Sequence, residues 1–132
     1  MTHVRPRSSA TSLQTHRNLD VWCKSLDLCV QVYRLTGRFP PEERFGLSSQ
    51  LRRAAVSVSS NIAEGAARGT SRDFQRFLRI ARGSLAELET QILIAYRCGL
   101  LASGTEIDSH IRDIGRMLNG LIRSINRKSE SG

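Results

Sequence analysis

The chain has 132 residues, 39% of them hydrophobic but only 5% aromatic, and a formal net charge of +8. That length suits one domain burying roughly two-thirds of its unfolded surface, with Leu, Ile, Val and Ala supplying the core. No apolar run approaches the roughly 18 residues that span a bilayer, and the opening MTHVRPRSSATSLQTHR lacks the apolar middle of a signal peptide.

The three cysteines read as small core apolar groups in a reducing cytoplasm, and no helix combines a basic face with exposed Trp or Phe, so no membrane partner is expected. The opening stretch is basic, rich in Ser and Thr and free of acids, a composition shared with transit peptides; without periodicity it reads as a flexible tail over residues 1–17. Cys23, Cys29 and Cys98 form no CxxC pair and are odd in number, which argues against a disulfide framework and against a zinc site. All the basic residues except Lys24 and Lys128 are arginine. Such an excess points to polyanions, because the guanidinium fork can donate two hydrogen bonds to one phosphate.

Four periodic segments follow, none of them strand-like. The first runs from Asp20 to Thr36, with Val21, Leu28, Val32 and Leu35 as its stripe and Trp22, Cys29 and Tyr33 widening it. Asn18 is placed to cap it and Gly37 to end it, before the breaker FPP. The second carries Leu47, Leu51, Val58 and Ile62, spaced four, seven and four apart, and continues to about Arg68. Its many serines lower helix propensity, so packing must hold it. The third begins after GTS with Ser71 as expected N-cap and runs to about Cys98, burying Phe74, Phe77, Leu78, Ala81, Leu85, Leu88 and Ile92 before Gly99 stops it. The fourth opens on Ser103 and Glu106 in capping-box spacing and carries Ile107, Ile111, Ile114, Leu118, Leu121 and Ile125. The pattern predicts an all-α, antiparallel up-down-up-down four-helix bundle over residues 18–127, with a short C-terminal tail over 128–132.

Enzymatic constellations are missing. His3 and His16 lie in the tail and His110 on the fourth helix, and no Glu-x-x-His pair of the di-iron bundles occurs. EGAARGTS has the glycines of a phosphate loop without its lysine, no GxSxG elbow exists, and Glu87 and Glu89 point to different helix faces. The expectation is a protein that is not an enzyme, with no metal and no cofactor.

The positive signal is arginine. Arg72, Arg76, Arg79 and Arg82 fall within about 120° of arc on the third helix, opposite its apolar face, and Arg68 precedes them. Cations at a helix N-terminus oppose the macrodipole, and partners three or four residues away are mostly missing, so besides a solvated outer face, the ordinary reading of a charge run, the stripe reads as an anion-binding face. Arg123, Arg127 and Lys128 at the end of the fourth helix conform to the dipole rule and add to the same expectation. On the second helix a polar band of Gln50, Arg53, Ser57, Ser60, Asn61 and Glu64 lies opposite the core stripe, flanked by Val56, Ala63 and Ala67. It fits a helix wet on one side and equally a helix packed on two sides, with Arg53, Val56, Ser57, Ser60, Asn61, Ala63 and Glu64 facing a neighbouring subunit.

The order WCKSLDLCVQVYRLTGRFPPEERFGLSSQLRRAAVSVSSNIAEGAARGTSRDFQRFLRIARGSLAELETQI resembles the small bacterial four-helix-bundle family named for proteins encoded in 23S ribosomal RNA intervening sequences. The resemblance covers about residues 19 to 125, and FGLSSQLRRAAVSVSSNIAEG and GSLAELETQ are its most specific pieces. It implies a ring-like homopentamer, similar in fold to the accessory variability protein of diversity-generating retroelements, a basic pentamer that binds nucleic acid and its reverse transcriptase. GRMLNGLIRSINRK matches the end of that accessory protein. Where family members often carry a proline before SNIAEG, this chain has Ser59 and Ser60. The leading expectation is an oligomeric, non-enzymatic protein binding RNA or DNA backbone with low sequence specificity. The alternative is an interaction scaffold whose basic face meets an acidic partner, such as a reverse transcriptase.

Overall fold

Each predicted stripe folds as a single helix. The computed structural model describes residue 16, residues 19–102 and residues 106–131, with side chains to Lys128. In chain order these form α1 (Asp20–Thr36), α2 (Leu47–Ala67), α3 (Ser71–Arg97) and α4 (Glu106–Ser131), with a 3-10 turn, Pro41–Glu43, between α1 and α2. No strand occurs among the described residues. The last helix continues past residue 127, where the sequence pattern placed the end of the bundle. No helix of the described chain is long and apolar enough to cross a membrane.

The helix ends differ in detail from expectation. Leu19 occupies the N-cap position of α1 and makes no side-chain cap bond; its burial holds the chain entry instead. Asn18 and Ser103, the expected caps of α1 and α4, lie outside the described residues. The N-cap of α3 is Thr70 rather than Ser71, and its hydroxyl accepts a hydrogen bond from the Asp73 N–H at 3.2 Å. Before α2, the Glu43 carboxylate accepts from the Leu47 N–H at 3.3 Å. Gly69 and Gly99 take φ of +86° and +77°, left-handed values that glycine adopts freely, and so turn the chain after α2 and after α3.

Side-chain pairs fix the directions. Cys29 meets Ser59 and Thr36 meets Arg52, so α1 and α2 run antiparallel. Ser57 meets Ser84, while Gly65 faces Phe77, which sets α3 antiparallel to α2. Gln75 bonds Asn126, Arg82 bonds Asn119 and Tyr96 bonds Asp108, running α4 back along α3. Gln31 and His110 join α1 to α4 and close the square.

Leu28, Leu51, Ile62, Leu78, Leu88, Ile92, Ile114 and Leu118 are fully buried at its centre. Each such side chain contributes about 1.5–3 kcal/mol through burial. Two stripe assignments change. Ile122, not Leu121, is the buried residue of that turn of α4, and Tyr33 lies on the outside of α1. Ser25, Thr36 and Ser59 are buried although polar, because each hydroxyl donates to a carbonyl one turn back in its own helix. The closest approach is between α2 and α3. A Cβ placed on Gly65 would stand 2.6 Å from the Phe77 Cβ, so only glycine fits there.

Candidate nucleic-acid interface

The arginine stripe occupies the first half of α3, at the end of the bundle where α2 stops and α4 finishes. The Thr70 cap and the turn at Gly69 start α3 so that Arg72, Arg76 and Arg79 project outward. Phe77, buried beneath them, supplies a platform: the Arg76 guanidinium lies 4.5 Å from its ring centre and that of Arg68 5.0 Å. These cation–π contacts hold the two arginines side by side without neutralising either. Arg82 donates to the Asn119 side-chain oxygen at 3.0 Å, which ties the lower end of the stripe to α4.

Acidic partners are mostly missing along this stripe, as expected, but two of its five arginines have one. Arg68 pairs with Glu64 at 3.4 Å and Arg76 with Asp73 at 3.5 Å. Both pairs are at the surface, where such contacts contribute about 0–1 kcal/mol and yield to a competing phosphate. Arg72 and Arg79 have no carboxylate within ion-pair distance among the described residues.

The fold also joins what the sequence separates. The Gln75–Asn126 and Arg82–Asn119 bonds set the register of α3 against α4. Arg123, Arg127 and Lys128 therefore stand along the same end of the bundle as Arg72 and Arg79, and all three are exposed. Between the two helices and the end of α2 is a recess of about 190 Å³ whose lining includes Gly69, Thr70, Ser71, Ser124 and Lys128. All eight predicted cations are thus within one end region rather than in two unrelated clusters.

The residues expected to face a neighbouring subunit divide. The Ser57 and Ser84 hydroxyls share a hydrogen bond of 2.8 Å, and the Asn61 amide donates to the Ser57 carbonyl at 2.8 Å and to its hydroxyl at 3.0 Å. Ser57 thus bonds across the seam between α2 and α3 and Asn61 bonds back to Ser57 along α2, both of them half-buried. Arg53, Val56, Ser60 and Glu64 remain exposed on the outer side of α2, and Ala63 partly so. Beside them α1 presents Leu26, Val30 and Tyr33, spaced four and three apart on one face and all exposed. Tyr33 and Val56 line the same cleft. The sequence reading missed this apolar strip because it assigned Tyr33 to the core; the spacing of Leu26 and Val30 with Tyr33 carried the signal. On α3, Ile80 and Ile94 are exposed as well.

No group of three or more His, Cys, Asp or Glu side chains among the described residues could hold a metal ion. Cys29 is half-buried, and burial pushes its thiol up from the ordinary value while the Ser59 contact pulls the other way.

Fold and surface together define an all-helical, four-helix bundle protein with one cluster of cations toward the end where α3 begins and α4 finishes. The chain belongs to the 23S rRNA-intervening sequence protein family, whose profile it matches over residues 17–120. Among solved structures it is similar to a protein of unknown function from the S23 ribosomal protein family of Bacteroides thetaiotaomicron VPI-5482. The two share 25% sequence identity with a TM-score of 0.73, over 78% of this chain and 95% of that one. No curated protein matches.

Proposed function

We propose that this protein is a non-enzymatic, oligomeric bundle that binds the phosphate backbone of RNA or DNA through the basic end formed by α3 and α4. The observation that carries the reading is the convergence of Arg68, Arg72, Arg76, Arg79 and Arg82 with Arg123, Arg127 and Lys128. Guanidiniums stacked on Phe77 present a fixed row of donors, and the stripe itself offers no exposed ring for a base to stack on. Such a surface recognises charge spacing rather than sequence. The family's association with 23S ribosomal RNA intervening sequences fits a polyanionic partner.

Assembly follows from the outer faces. A closed ring joins two different patches on each subunit, and the strip of Leu26, Val30 and Val56 and the exposed Ile80 and Ile94 of α3 supply two apolar patches on different helices. A ring repeats the basic end in each subunit, so that weak phosphate contacts act together.

The test is affinity for RNA and DNA measured against salt, for the parent chain and for Arg72→Glu/Arg76→Glu/Arg79→Glu. The expected log–log slope is steep, about −0.7 to −0.9 per phosphate contacted, and the triple change abolishes binding. Absence of binding at low salt, or indifference to the triple change, would overturn the proposal. For assembly, Val30→Glu and Val56→Glu should each lower the mass found by sedimentation; an unchanged mass would exclude that face.

A further inference from the structure

At the opposite end of the bundle, where α1 passes into α2, three arginines and two aromatic rings surround one open cleft. Its walls are Tyr33 from the last turn of α1, Arg44 and Phe45 from the connection, and Arg52, Arg53 and Val56 from α2, around about 630 Å³. That volume is in the range of sites that take ligands of nucleotide size. Counted along α2, Arg52 is sixteen residues from Arg68, or about 24 Å of helix. The cleft is therefore separate from the basic end described above.

Three properties of this cleft point to one kind of ligand. The first is bare aromatic surface: Phe45 is 88% exposed and Tyr33 47%. A phenylalanine so open on an ordered turn contributes little to the core. The second is charge without counter-charge. Arg44, Arg52 and Arg53 have no carboxylate within ion-pair distance among the described residues. The nearby Glu43 carboxylate is turned to the start of α2, where it accepts from Leu47.

The third property is a fixed pose. Arg52 donates from Nε to the Thr36 hydroxyl at 2.8 Å and from Nη2 to the Tyr33 carbonyl at 3.4 Å, with its guanidinium 4.6 Å from the Tyr33 ring centre. Thr36 is itself held by donating to the Val32 carbonyl at 2.7 Å. Two of the five donors of the fork are thereby engaged, which orients the group and leaves the others for a ligand. Arg44 lies over Phe45, 5.3 Å from the ring centre.

We infer that this cleft binds a nucleotide unit of single-stranded nucleic acid, its phosphate on Arg52 and Arg53 and its base against Phe45 and Tyr33. Flat exposed rings interleaved with arginines are the stacking platform and electrostatic groove of sequence-tolerant single-strand binding. A duplex already stacks its bases internally and offers the rings nothing, so the cleft selects the single strand. An acidic peptide would engage the cations but leave the ring faces unused. The inference shares with the proposed function its class of ligand but none of its phosphate-binding residues; Val56 is common to the cleft and to the apolar strip of α1 and α2.

The experiment is fluorescence anisotropy on the full chain, with labelled oligouridylate and oligothymidylate of about 12 nucleotides and with mixed-sequence RNA and DNA duplexes of the same length. Phe45→Ala removes an exposed side chain and should leave the melting temperature unchanged. It is expected to weaken single-strand binding at least about fivefold while duplex binding changes less than about twofold. Arg53→Gln should flatten the single-strand salt slope by about 0.7. The two oligomers distinguish an RNA site from a DNA site.

If Phe45→Ala changes both affinities equally or neither, the cleft is not a stacking site. If it alters the sedimenting mass and not the affinity, the occupant is a second copy of the chain and the inference fails. The triple glutamate change on α3 separates this result from the broader reading. Loss of binding in that variant but not in Phe45→Ala removes the cleft alone, and the converse removes the α3 stripe alone. A parent chain that binds no oligonucleotide removes both.

Discussion

Replacing Gly65 by alanine should destabilise the bundle, although the same change in an ordinary helix interior stabilises it. The ordinary gain is up to about 1 kcal/mol, from helix propensity. Here the added methyl would stand 2.6 Å from the Phe77 Cβ and 3.3 Å from the Phe74 Cδ1 and carbonyl oxygen. Carbon atoms rest at about 3.5–4.0 Å, so α2 and α3 would have to part by roughly 1 Å. Neither Phe77 Cβ nor a helix carbonyl can swing aside. Overpacking of this kind costs about 1–3 kcal/mol, and subtracting the propensity gain leaves a net loss of up to about 2 kcal/mol. Scaled to 132 residues, that is a fall in Tm of up to about 7 °C. Gly83 is the internal control. It lies mid-helix in α3 with nothing within 4 Å of an added Cβ, so Gly83→Ala should raise Tm by about 2–4 °C. Thermal melts by circular dichroism at one protein concentration read both. A Gly65→Ala protein melting at or above the parent would refute the close approach of α2 to α3.

The other expectations are independent of that seam. Thr70→Ala removes the α3 cap and should cost about 1 kcal/mol in urea unfolding, while Ser71→Ala, the cap expected from sequence, should cost little. Leu88→Ala empties a fully buried position and should cost about 2–5 kcal/mol with an unchanged urea m-value. Exposed Cys98 should alkylate readily at neutral pH and half-buried Cys29 slowly, as read by peptide mass spectrometry. Because burial raises the Cys29 thiol in the folded state, its contribution to stability is intact below the ordinary value of 9.0 and declines as pH rises above it. Cys29→Ala should therefore lose less stability than the parent in that alkaline range.

The sequence disclosed the helices because their apolar stripes repeat at one period, and the bundle follows from four such stripes with short connections. Leu28, Leu51, Leu88 and Leu118 are buried as that rule requires. It failed where a side chain is amphipathic or small. Tyr33 fits the edge of the α1 stripe, yet its ring lies outside under Arg52. Ser25 and Ser59 look like surface residues until their hydroxyls are seen bonding their own backbone. For the site, spacing disclosed the α3 row but not its company. That Arg123, Arg127 and Lys128 belong to the same end depends on the register of α4, and no local pattern encodes a register between helices. The cleft at Phe45 is not legible in the sequence because its parts come from three segments, the end of α1, the connection and α2.

The guanidiniums in the first turns of α3 have a further effect. Crowded at the positive end of a helix dipole, Arg72 and Arg76 raise the energy of the folded chain, and added electrolyte screens that repulsion. Moderate salt should therefore firm the free protein while it dissolves the proposed complex. A polyanion would relieve the same crowding by direct contact and raise the melting temperature by mass action. Ionic strength then works in opposite directions on the protein and on its load, so that the conditions favouring release are those in which the emptied bundle is safest from unfolding.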